Sequence, residues 1–157
     1  MILLKRTIFT IFASMLMSIA FGQTNDKMGN QTNKSEQDWA KELSAEKYEV
    51  LRQCGTEAPF SGKYVNHKED GYYQCAGCGA KLFSSETKYD SGSGWPSFYA
   101  AIDSTKIEQI LDKSHGMMRT EIKCAKCGGH LGHLFNDGPN PTGMRFCVNS
   151  ASLEFEK

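Results

Sequence analysis

Six cysteines carry most of the chemistry that this sequence can perform. Four of them form two C-x-x-C pairs, each followed by glycine: Cys75-Ala-Gly-Cys78 and Cys124-Ala-Lys-Cys127. Each pair can give two thiolates from one tight turn, and four sulfurs at about 2.3 Å from one ion make a closed tetrahedral site. The spacing therefore predicts one structural zinc ion per chain, held by Cys75, Cys78, Cys124 and Cys127.

Other arrangements of these four cysteines stay open at the level of the sequence. Two ordinary disulfides would be tolerated in an exported protein. Mixed ligation through His130 and His133 is another arrangement, although the gap between them is shorter than the three to five residues usual for paired histidine ligands. A thioredoxin-type redox motif explains two glycine-flanked copies less well than one shared ion does.

The two remaining cysteines lie in segments of a different kind: Cys54 in Cys-Gly-Thr-Glu and Cys147 in Arg-Phe-Cys-Val-Asn. A structural disulfide between them is one interpretation, since exported proteins often hold such pairs. The alternative is that Cys147 is a nucleophile. Arg145, two residues away on an expected strand, would then point to the same face and lower the pKa of the thiol.

Two histidines are candidate acid–base groups for such a nucleophile. His130 and His133 lie in Gly-His-Leu-Gly-His-Leu-Phe, which ends at Phe135. Residues three apart in a regular strand face opposite sides of the sheet, so both rings converge only if Gly132 permits a bulge. A purely structural role for both histidines is the competing interpretation.

Short strands and turns must position these residues. Glycine-containing turn signals recur between short apolar runs along the second half of the chain. The runs expected to form strands include residues 71–74, 107–111, 117–122 and 146–149. A short helical region is expected from Ser35 to about Arg52, where Ser44 can cap a turn. The pattern predicts a mainly β protein with one domain.

Composition excludes several classes of function. The chain has 157 residues, enough for one domain with its own core, and its 39% hydrophobic and 11% aromatic content is too high for a disordered protein. Because 18 Lys and Arg balance 18 Asp and Glu, the formal net charge is zero. A general nucleic-acid binder needs a positive surface, so nucleic acid is not an expected partner.

The first residues of the sequence have the order of a secretory signal. Lys5 and Arg6 precede a run without charges, residues 7–22, and Ala20 and Gly22 are small residues placed as expected before a cut. We expect a signal peptide over 1–22, a flexible spacer over 23–38 and the folded domain over 39–157. The predicted location is the periplasm or the extracellular space if the source is bacterial, without stable membrane insertion after cleavage. A retained anchor is the alternative.

Four ordered motifs resemble one enzyme family. They are CGTEAPFSGKY from Cys54, SGSGWPSF from Ser91, CGGHLGHLFNDGP from Cys127 and PTGMRFCVNS from Pro141. Together with the C-x-x-C pairs, they resemble the methionine-R-sulfoxide reductases, the B class of peptide-methionine sulfoxide reductases, over residues 43–155. This class repairs one epimer of methionine sulfoxide. The resemblance implies two antiparallel sheets, with a zinc-holding subregion away from the active site.

The resemblance also implies roles for individual residues. Cys147 would attack the sulfoxide sulfur, become a sulfenic acid and release methionine. Four polar residues would hold a water or proton donor beside the sulfoxide oxygen: His130, His133, Asp137 and Asn149. Trp95 would be the apolar wall that accepts the S-methyl group, Phe135 a second wall, and Arg145 would tune and hydrogen-bond the site. Core packing is the competing role for Phe135.

One position departs from a common version of the family pattern. Many members have cysteine at the third position of the Ser91 motif, where it resolves the sulfenic acid, whereas this chain has Ser93. Some members use a cysteine in the segment that matches Cys54. The resemblance therefore implies a Cys54–Cys147 disulfide that a thioredoxin-like donor regenerates. The expected partners are this donor and oxidised proteins that carry methionine-R-sulfoxide, and a monomer is expected.

Two functions from other classes compete with this one. A zinc-stabilised module that captures oxidised or methionine-rich peptides without turnover would need neither Cys147 nor Cys54. A general thiol–disulfide oxidoreductase would act on disulfides and would show no preference between sulfoxide epimers. Loss of methionine sulfoxide from a model peptide, with dithiothreitol as reductant, separates the three.

Overall fold

A computed structural model describes Thr32 and residues 34–157 of the protein. The predicted signal peptide, residues 1–22, lies outside these described residues, as does most of the predicted spacer. No helix of the described part is long and apolar enough to cross a membrane.

Two short helices begin the described fold: α1 (Glu36–Glu42) and α2 (Ala45–Gln53). Ser35 caps α1 in a reciprocal pair, because its hydroxyl accepts from the backbone N–H of Asp38 while the Asp38 carboxylate accepts from the N–H of Ser35. Ser44 caps α2, as predicted from the sequence. These caps account for helices in a chain that otherwise favours strands.

The end of α2 redirects the chain toward the larger sheet. Cys54 ends the helix in the left-handed conformation, with φ at 57°. Three residues later, the backbone N–H of Glu57 donates to the side chain of Asn149 at 3.2 Å, and the Glu57 carboxylate accepts from the N–H of Ser150 at 2.6 Å. The first sequence motif is thereby attached to the end of the strand that carries Cys147.

Nine strands follow the helices and form two antiparallel sheets. The smaller sheet has the order β2-β1-β9 and the larger one the order β3-β4-β8-β7-β6-β5. Their bounds are β1 Tyr72–Cys75, β2 Lys81–Ser84, β3 Lys88–Tyr89, β4 Ser97–Phe98, β5 Ile107–Asp112, β6 Arg119–Cys124, β7 His130–Phe135, β8 Arg145–Val148 and β9 Leu153–Glu156. The predicted fold class, mainly β with two antiparallel sheets and a short N-terminal helical region, is confirmed.

Aromatic rings join the two sheets. Phe83 on β2 stacks on Phe98 on β4 with ring centroids 4.4 Å apart, and Tyr73 on β1 meets Phe98 edge-on at 5.0 Å. All three side chains are fully buried. Because truncating a buried Phe costs about 3–5 kcal/mol, these contacts fix the position of β4, and with it the position of the neighbouring strand β8.

A lateral row of residues crosses the larger sheet. Ser97, Cys147, His133 and Glu121 are Cα partners in successive pairs of the strands β4, β8, β7 and β6. Directly opposed residues of antiparallel strands project to the same face, so these four side chains share one face. Since neighbouring strands are about 4.8 Å apart, Glu121 lies roughly 10 Å from Cys147 along the row.

Gly132 permits a bulge in β7. Ile122 pairs with Gly132 and the next residue, Lys123, pairs with His130, so β7 contains one extra residue at this point. Gly132 has φ at 153°, and a Cβ atom there would lie 2.0 Å from the carbonyl oxygen of Cys147. The bulge brings the rings of His130 and His133 to 5.6 Å between centroids. The prediction that Gly132 allows the two histidines to converge is confirmed.

Candidate active site

A cleft opens over the Cys147–His133 part of the row. Five of the predicted site residues line it, together with Thr56, Arg119, Gly132 and Val148. These five are Trp95, His133, Phe135, Cys147 and Asn149. The other predicted residues, Cys54, His130, Asp137 and Arg145, lie around the cleft rather than on its lining.

The thiol of Cys147 is half-buried, and Ser93 and Arg145 are polar neighbours of it. Its Sγ lies 3.8 Å from Oγ of Ser93. The Ser93 hydroxyl is hydrogen-bonded to the hydroxyl of Ser91 at 2.8 Å, and Ser91 in turn to the hydroxyl of Ser97 at 2.7 Å. Burial raises the pKa of Cys147, and Ser93 and Arg145 act in the opposite direction. Arg145 therefore has the predicted effect, but burial outweighs it and the net shift of this pKa is upward.

Trp95 is held as one wall of the cleft by a hydrogen bond. Its ring Nε1–H donates to the carbonyl oxygen of Glu57 at 3.1 Å. The ring is half-buried, as expected for a large side chain at a rigid bend. Phe135 is a second wall of the cleft, and the Arg145 guanidinium lies over its ring at 4.3 Å from the ring centroid.

Arg145 and Asp137 form a pair at the edge of this wall. The Arg145 guanidinium donates two hydrogen bonds of 2.8 Å to the Asp137 carboxylate, which is 59% exposed. This pairing lowers the pKa of Asp137. The geometry places Asp137 against Arg145 and outside the residues that line the cleft, so its contact in this structure is with the guanidinium.

Asn149 is fixed at the floor of the cleft through both ends of its amide. Its Nδ2 donates to the carbonyl oxygen of Leu131 at 3.2 Å, and its Oδ1 accepts from the N–H of Glu57 at 3.2 Å. Only 3% of Asn149 is exposed. Glu57 thus binds Trp95 through its carbonyl and Asn149 through its N–H, a role that sequence reasoning missed although Glu57 stands in the first motif.

Each histidine is paired with a carboxylate that sequence reasoning also missed. Nε2 of His133 lies 2.9 Å from Oδ2 of Asp112, and Nδ1 of His130 lies 2.6 Å from Oε1 of Glu121. His133 lines the cleft, whereas His130 is 2% exposed and its Nε2 has no hydrogen-bond partner. Burial lowers the pKa of His130, against a raising effect of Glu121.

Cys54 belongs to the same group as His130 and Glu121. Its Sγ lies 3.7 Å from Oε1 of Glu121, and the donor atoms of the three residues are all within 4.8 Å of one another. Two ligands of one tetrahedral ion at 2.0–2.1 Å would be about 3.3 Å apart. The shorter distance of 2.6 Å between His130 and Glu121 is that of a hydrogen bond. We therefore interpret this group as hydrogen-bonded.

The thiol of Cys54 is weakly acidic in this position. Although the residue is exposed, partial burial of its thiol raises the pKa of Cys54, and the Glu121 carboxylate raises it further. All six cysteines are free, so the structure describes the reduced protein. Cys54 contacts Glu121, which is on β6, and β6 is two strands away from β8, the strand that carries Cys147.

The four cysteines of the C-x-x-C pairs form a compact cluster. Sγ of Cys75 and Sγ of Cys127 are 3.6 Å apart, as are Sγ of Cys78 and Sγ of Cys124. A tetrahedral ion with sulfur at about 2.3 Å would give edges of about 3.8 Å, whereas a disulfide needs about 2.05 Å. The cluster can bind a metal such as zinc. The disulfide alternative does not fit, and the cluster contains neither histidine.

Comparisons with known proteins place these features in context. A protein-family model described as the SelR domain matches residues 43–157. The chain is 59% identical over 130 residues to a protein named Peptide methionine sulfoxide reductase MsrB of Leptospira interrogans serogroup Icterohaemorrhagiae serovar Lai (strain 56601), which covers 83% of this chain and 99% of that relative.

Two further relatives carry the same name. One, from Acinetobacter baylyi (strain ATCC 33305 / BD413 / ADP1), is 59% identical over 124 residues, covering 79% of this chain and 89% of the relative. The other, from Methanosarcina mazei (strain ATCC BAA-159 / DSM 3647 / Goe1 / Go1 / JCM 11833 / OCM 88), is 56% identical over 128 residues, covering 82% and 91%. The segment matched by the family model contains the cleft and the four-cysteine cluster.

Proposed function

The chain belongs to the SelR family of peptide methionine sulfoxide reductases, and we propose that it reduces the R epimer of methionine sulfoxide, free or in proteins, through a sulfenic acid on Cys147. The observation that carries this proposal is the Cys147 thiol in a cleft with an apolar side and a polar side. Trp95 and Phe135 form the apolar side, and His133 and Asn149 form the polar side.

The walls suit a methylsulfinyl group. The S-methyl group packs against Trp95, which leaves the sulfoxide oxygen facing the polar side of the cleft. Sγ of Cys147 attacks the sulfur and takes up the oxygen, so the sulfur–oxygen bond of the substrate breaks and a sulfenic acid forms. The substrate sulfur gains two electrons and Cys147 loses two, and methionine is released.

Cys54 completes the cycle in this proposal. Its thiol displaces hydroxide from the Cys147 sulfenic acid, giving a Cys54–Cys147 disulfide and water, and a thioredoxin-like dithiol reduces the disulfide. Cys54 is exposed and is followed by Gly55, which favours the movement that this step needs. The residue directly beside Cys147 is Ser93, at 3.8 Å, which has a hydroxyl and cannot resolve the sulfenic acid.

We also propose that Cys75, Cys78, Cys124 and Cys127 hold one structural zinc ion. The first pair lies at the turn between β1 and β2 and the second at the turn between β6 and β7. An ion held by both turns supplies a crosslink between the two sheets and fixes the start of β7, which begins three residues after Cys127. All four ligand positions are taken by thiolates, so this ion has a structural role.

We also propose that the protein is exported and that residues 1–22 are its removable leader. Lys5, Arg6 and the uncharged run 7–22 have the order of a cleaved leader. A chain starting at Gln23 should be soluble and fully active. An insoluble or inactive chain would contradict the assignment of residues 1–22 to a removable leader.

Single-turnover chemistry tests the central proposal. A stoichiometric amount of enzyme, without reductant, should convert a peptide containing methionine-R-sulfoxide and leave the S epimer unchanged. Cys147→Ser should abolish this conversion, because no sulfenic acid can form, and Cys54→Ser should retain it. Mass spectrometry of the peptide measures the conversion. Activity of Cys147→Ser, or equal conversion of both epimers, would overturn the proposal, and binding without conversion would favour a capture module.

A further inference from the structure

Asp112 reaches His133 across an intervening strand. It is the last residue of the edge strand β5, while His133 is on β7, and β6 separates the two. Oδ2 of Asp112 nevertheless lies 2.9 Å from Nε2 of His133, with 15% and 14% of the two side chains exposed. Strand pairing alone does not bring these residues together, so the side chains themselves make the contact.

The Asp112 carboxylate is fixed by other donors. Its Oδ1 accepts from the backbone N–H of Ser114 at 2.8 Å, and its Oδ2 accepts from Nη2 of Arg119 at 2.6 Å. Hydrogen bonds from Ser114, and after them those from His133 and Arg119, hold the pKa of Asp112 well below its usual range. An ionised carboxylate only accepts hydrogen bonds, so Nε2 of His133 carries the hydrogen.

This arrangement leaves the other ring nitrogen for the substrate. Nδ1 of His133 has no hydrogen-bond partner among the described residues, and the ring lines the cleft together with Cys147. His133 and Cys147 are also Cα partners on neighbouring strands. A ring whose Nε2–H is held by a carboxylate can accept and release a proton at Nδ1 without turning.

We propose that Asp112 is a positioning residue that holds His133 in the orientation and tautomer required for proton transfer to the sulfoxide oxygen. This inference rests on the proposed role of Cys147. The proton that leaves the Cys147 thiol passes to Nδ1 of His133 and from there to the sulfoxide oxygen. It ends as the hydrogen of the Cys147 sulfenic acid, so the thiol and the sulfoxide give the sulfenic acid and methionine without a further reactant.

Several charged or titratable groups face His133 and set the direction of a pH effect: Asp112 from β5, Arg119 and Glu121 from β6, Cys147 from β8, and His130 from the same strand. Glu121 is hydrogen-bonded to His130, so Asp112 is the carboxylate bound to His133. Neutralising Asp112 removes a negative charge from the site and leaves the positive charge of Arg119 unopposed beside it. The acid limb of the pH–rate profile should then lie at lower pH in Asp112→Asn than in the unaltered enzyme.

Asp112→Asn and Asp112→Glu test the assignment, with Asp103→Asn as a matched control. Asp103 caps a surface turn in the same way that Asp112 caps the turn at Ser114, but it is exposed and remote from the cleft. We expect Asp112→Asn to lower the single-turnover rate about 10²-fold, a typical contribution of acid–base catalysis. Asp112→Glu should recover most of this loss, and Asp103→Asn should match the unaltered enzyme.

Two readouts distinguish positioning from a structural role. The pH–rate profile of Asp112→Asn should shift as described, and ¹⁵N NMR of the unaltered protein should show His133 with its hydrogen on Nε2. A rate within twofold of the unaltered enzyme, a slower rate with an unshifted profile, or a hydrogen on Nδ1 in the neutral ring would each overturn the inference. The NMR result decides the matter even if Asp112→Asn does not fold. Activity of Cys147→Ser would instead overturn the proposed function.

Discussion

The two groups of cysteines in this protein differ in what surrounds each sulfur. In the cluster of Cys75, Cys78, Cys124 and Cys127, the neighbours of each sulfur are other sulfurs at 3.6 Å, and three of the four residues are at most 1% exposed. Cys147 and Cys54 instead have oxygen neighbours, Ser93 and Glu121, and each has an open side. The contrast shows that burial and neighbouring groups, rather than the residue type, separate a ligand from a reactive thiol.

The two C-x-x-C turns have the same backbone conformation, whereas Cys54 and Cys147 lie in different kinds of backbone. At both C-x-x-C turns a glycine with φ at 70° follows the second cysteine, and its N–H donates to the carbonyl oxygen of the first, at 2.9 Å for Gly79 and 2.8 Å for Gly128. Cys54 lies at a helix end and Cys147 within a strand. The proposed metal ligands thus lie on two equivalent turns, whereas the proposed reacting thiols lie in two different environments.

The largest effect on stability should come from the four-cysteine cluster. Cys75→Ser or Cys124→Ser should remove the metal and lower the melting temperature by about 10 °C, because loss of a structural metal costs several kcal/mol and each kcal/mol shifts the transition by about 2–4 °C in a chain of this size. Cys54→Ser should leave both quantities unchanged. Calorimetry and metal analysis check the prediction. Active, stable protein that contains no zinc would contradict it.

The next largest effect concerns Cys54 and Cys147 and is a loss of turnover. Cys54→Ser should lose steady-state turnover with a thioredoxin-like donor, which attacks a disulfide, while a small dithiol that reaches the sulfenic acid directly still supports it. Adding Ser93→Cys should restore turnover with the donor, because this side chain lies 3.8 Å from Sγ of Cys147.

Steady-state rates of the single and double variants with both reductants provide the measurement. If Cys54→Ser turns over normally with the thioredoxin-like donor, Cys54 is a structural residue and not the resolving thiol. If the double variant stays inactive while it still converts one equivalent of substrate, proximity to Cys147 is insufficient for resolution.

The smallest effect should come from Glu121→Gln. This change removes the negative charge beside Cys54 and keeps an oxygen that accepts from His130, so the pKa of Cys54 should fall toward its ordinary value. Alkylation of Cys54 by iodoacetamide near pH 7 should become several-fold faster, since the thiolate is the reacting form.

Peptide mapping by mass spectrometry locates the alkylated residue and gives its rate as a function of pH. Glu46→Gln, at the opposite end of α2, is the matched control and should have no effect. The four-cysteine cluster should stay unreactive in every variant. An unchanged or slower rate at Cys54 in Glu121→Gln would show that the carboxylate does not control this thiol.

Much of the fold and the whole cysteine cluster could be predicted from local patterns. Ser44, the glycine turns and the two C-x-x-C pairs each act over a few residues, so their signals are visible in the sequence. The bulge at Gly132 could be predicted because two histidines three apart need it if both are to face the same side of the sheet. The family motifs added Trp95 and Asn149, and both line the cleft.

The partners of the histidines could not be predicted in the same way. Asp112 and Glu121 are polar residues on the strands β5 and β6, and such residues normally face water. Their contacts with His133 and His130 depend on strand order and register, which no short motif specifies. The net pKa shift of Cys147 was missed for a related reason, because the burial that outweighs Arg145 is a property of the folded chain.

The hydrogen bonds of Glu57 would give the proposed catalytic cycle an order in time. Glu57 binds Trp95 and Asn149 and lies three residues after Cys54, a span of at most about 10 Å for an extended chain. If Cys54 moves to Cys147 as in the proposed cycle, this short segment would pull on those hydrogen bonds and loosen the hold on Trp95 and Asn149. The disulfide form would then bind a sulfoxide more weakly than the reduced form.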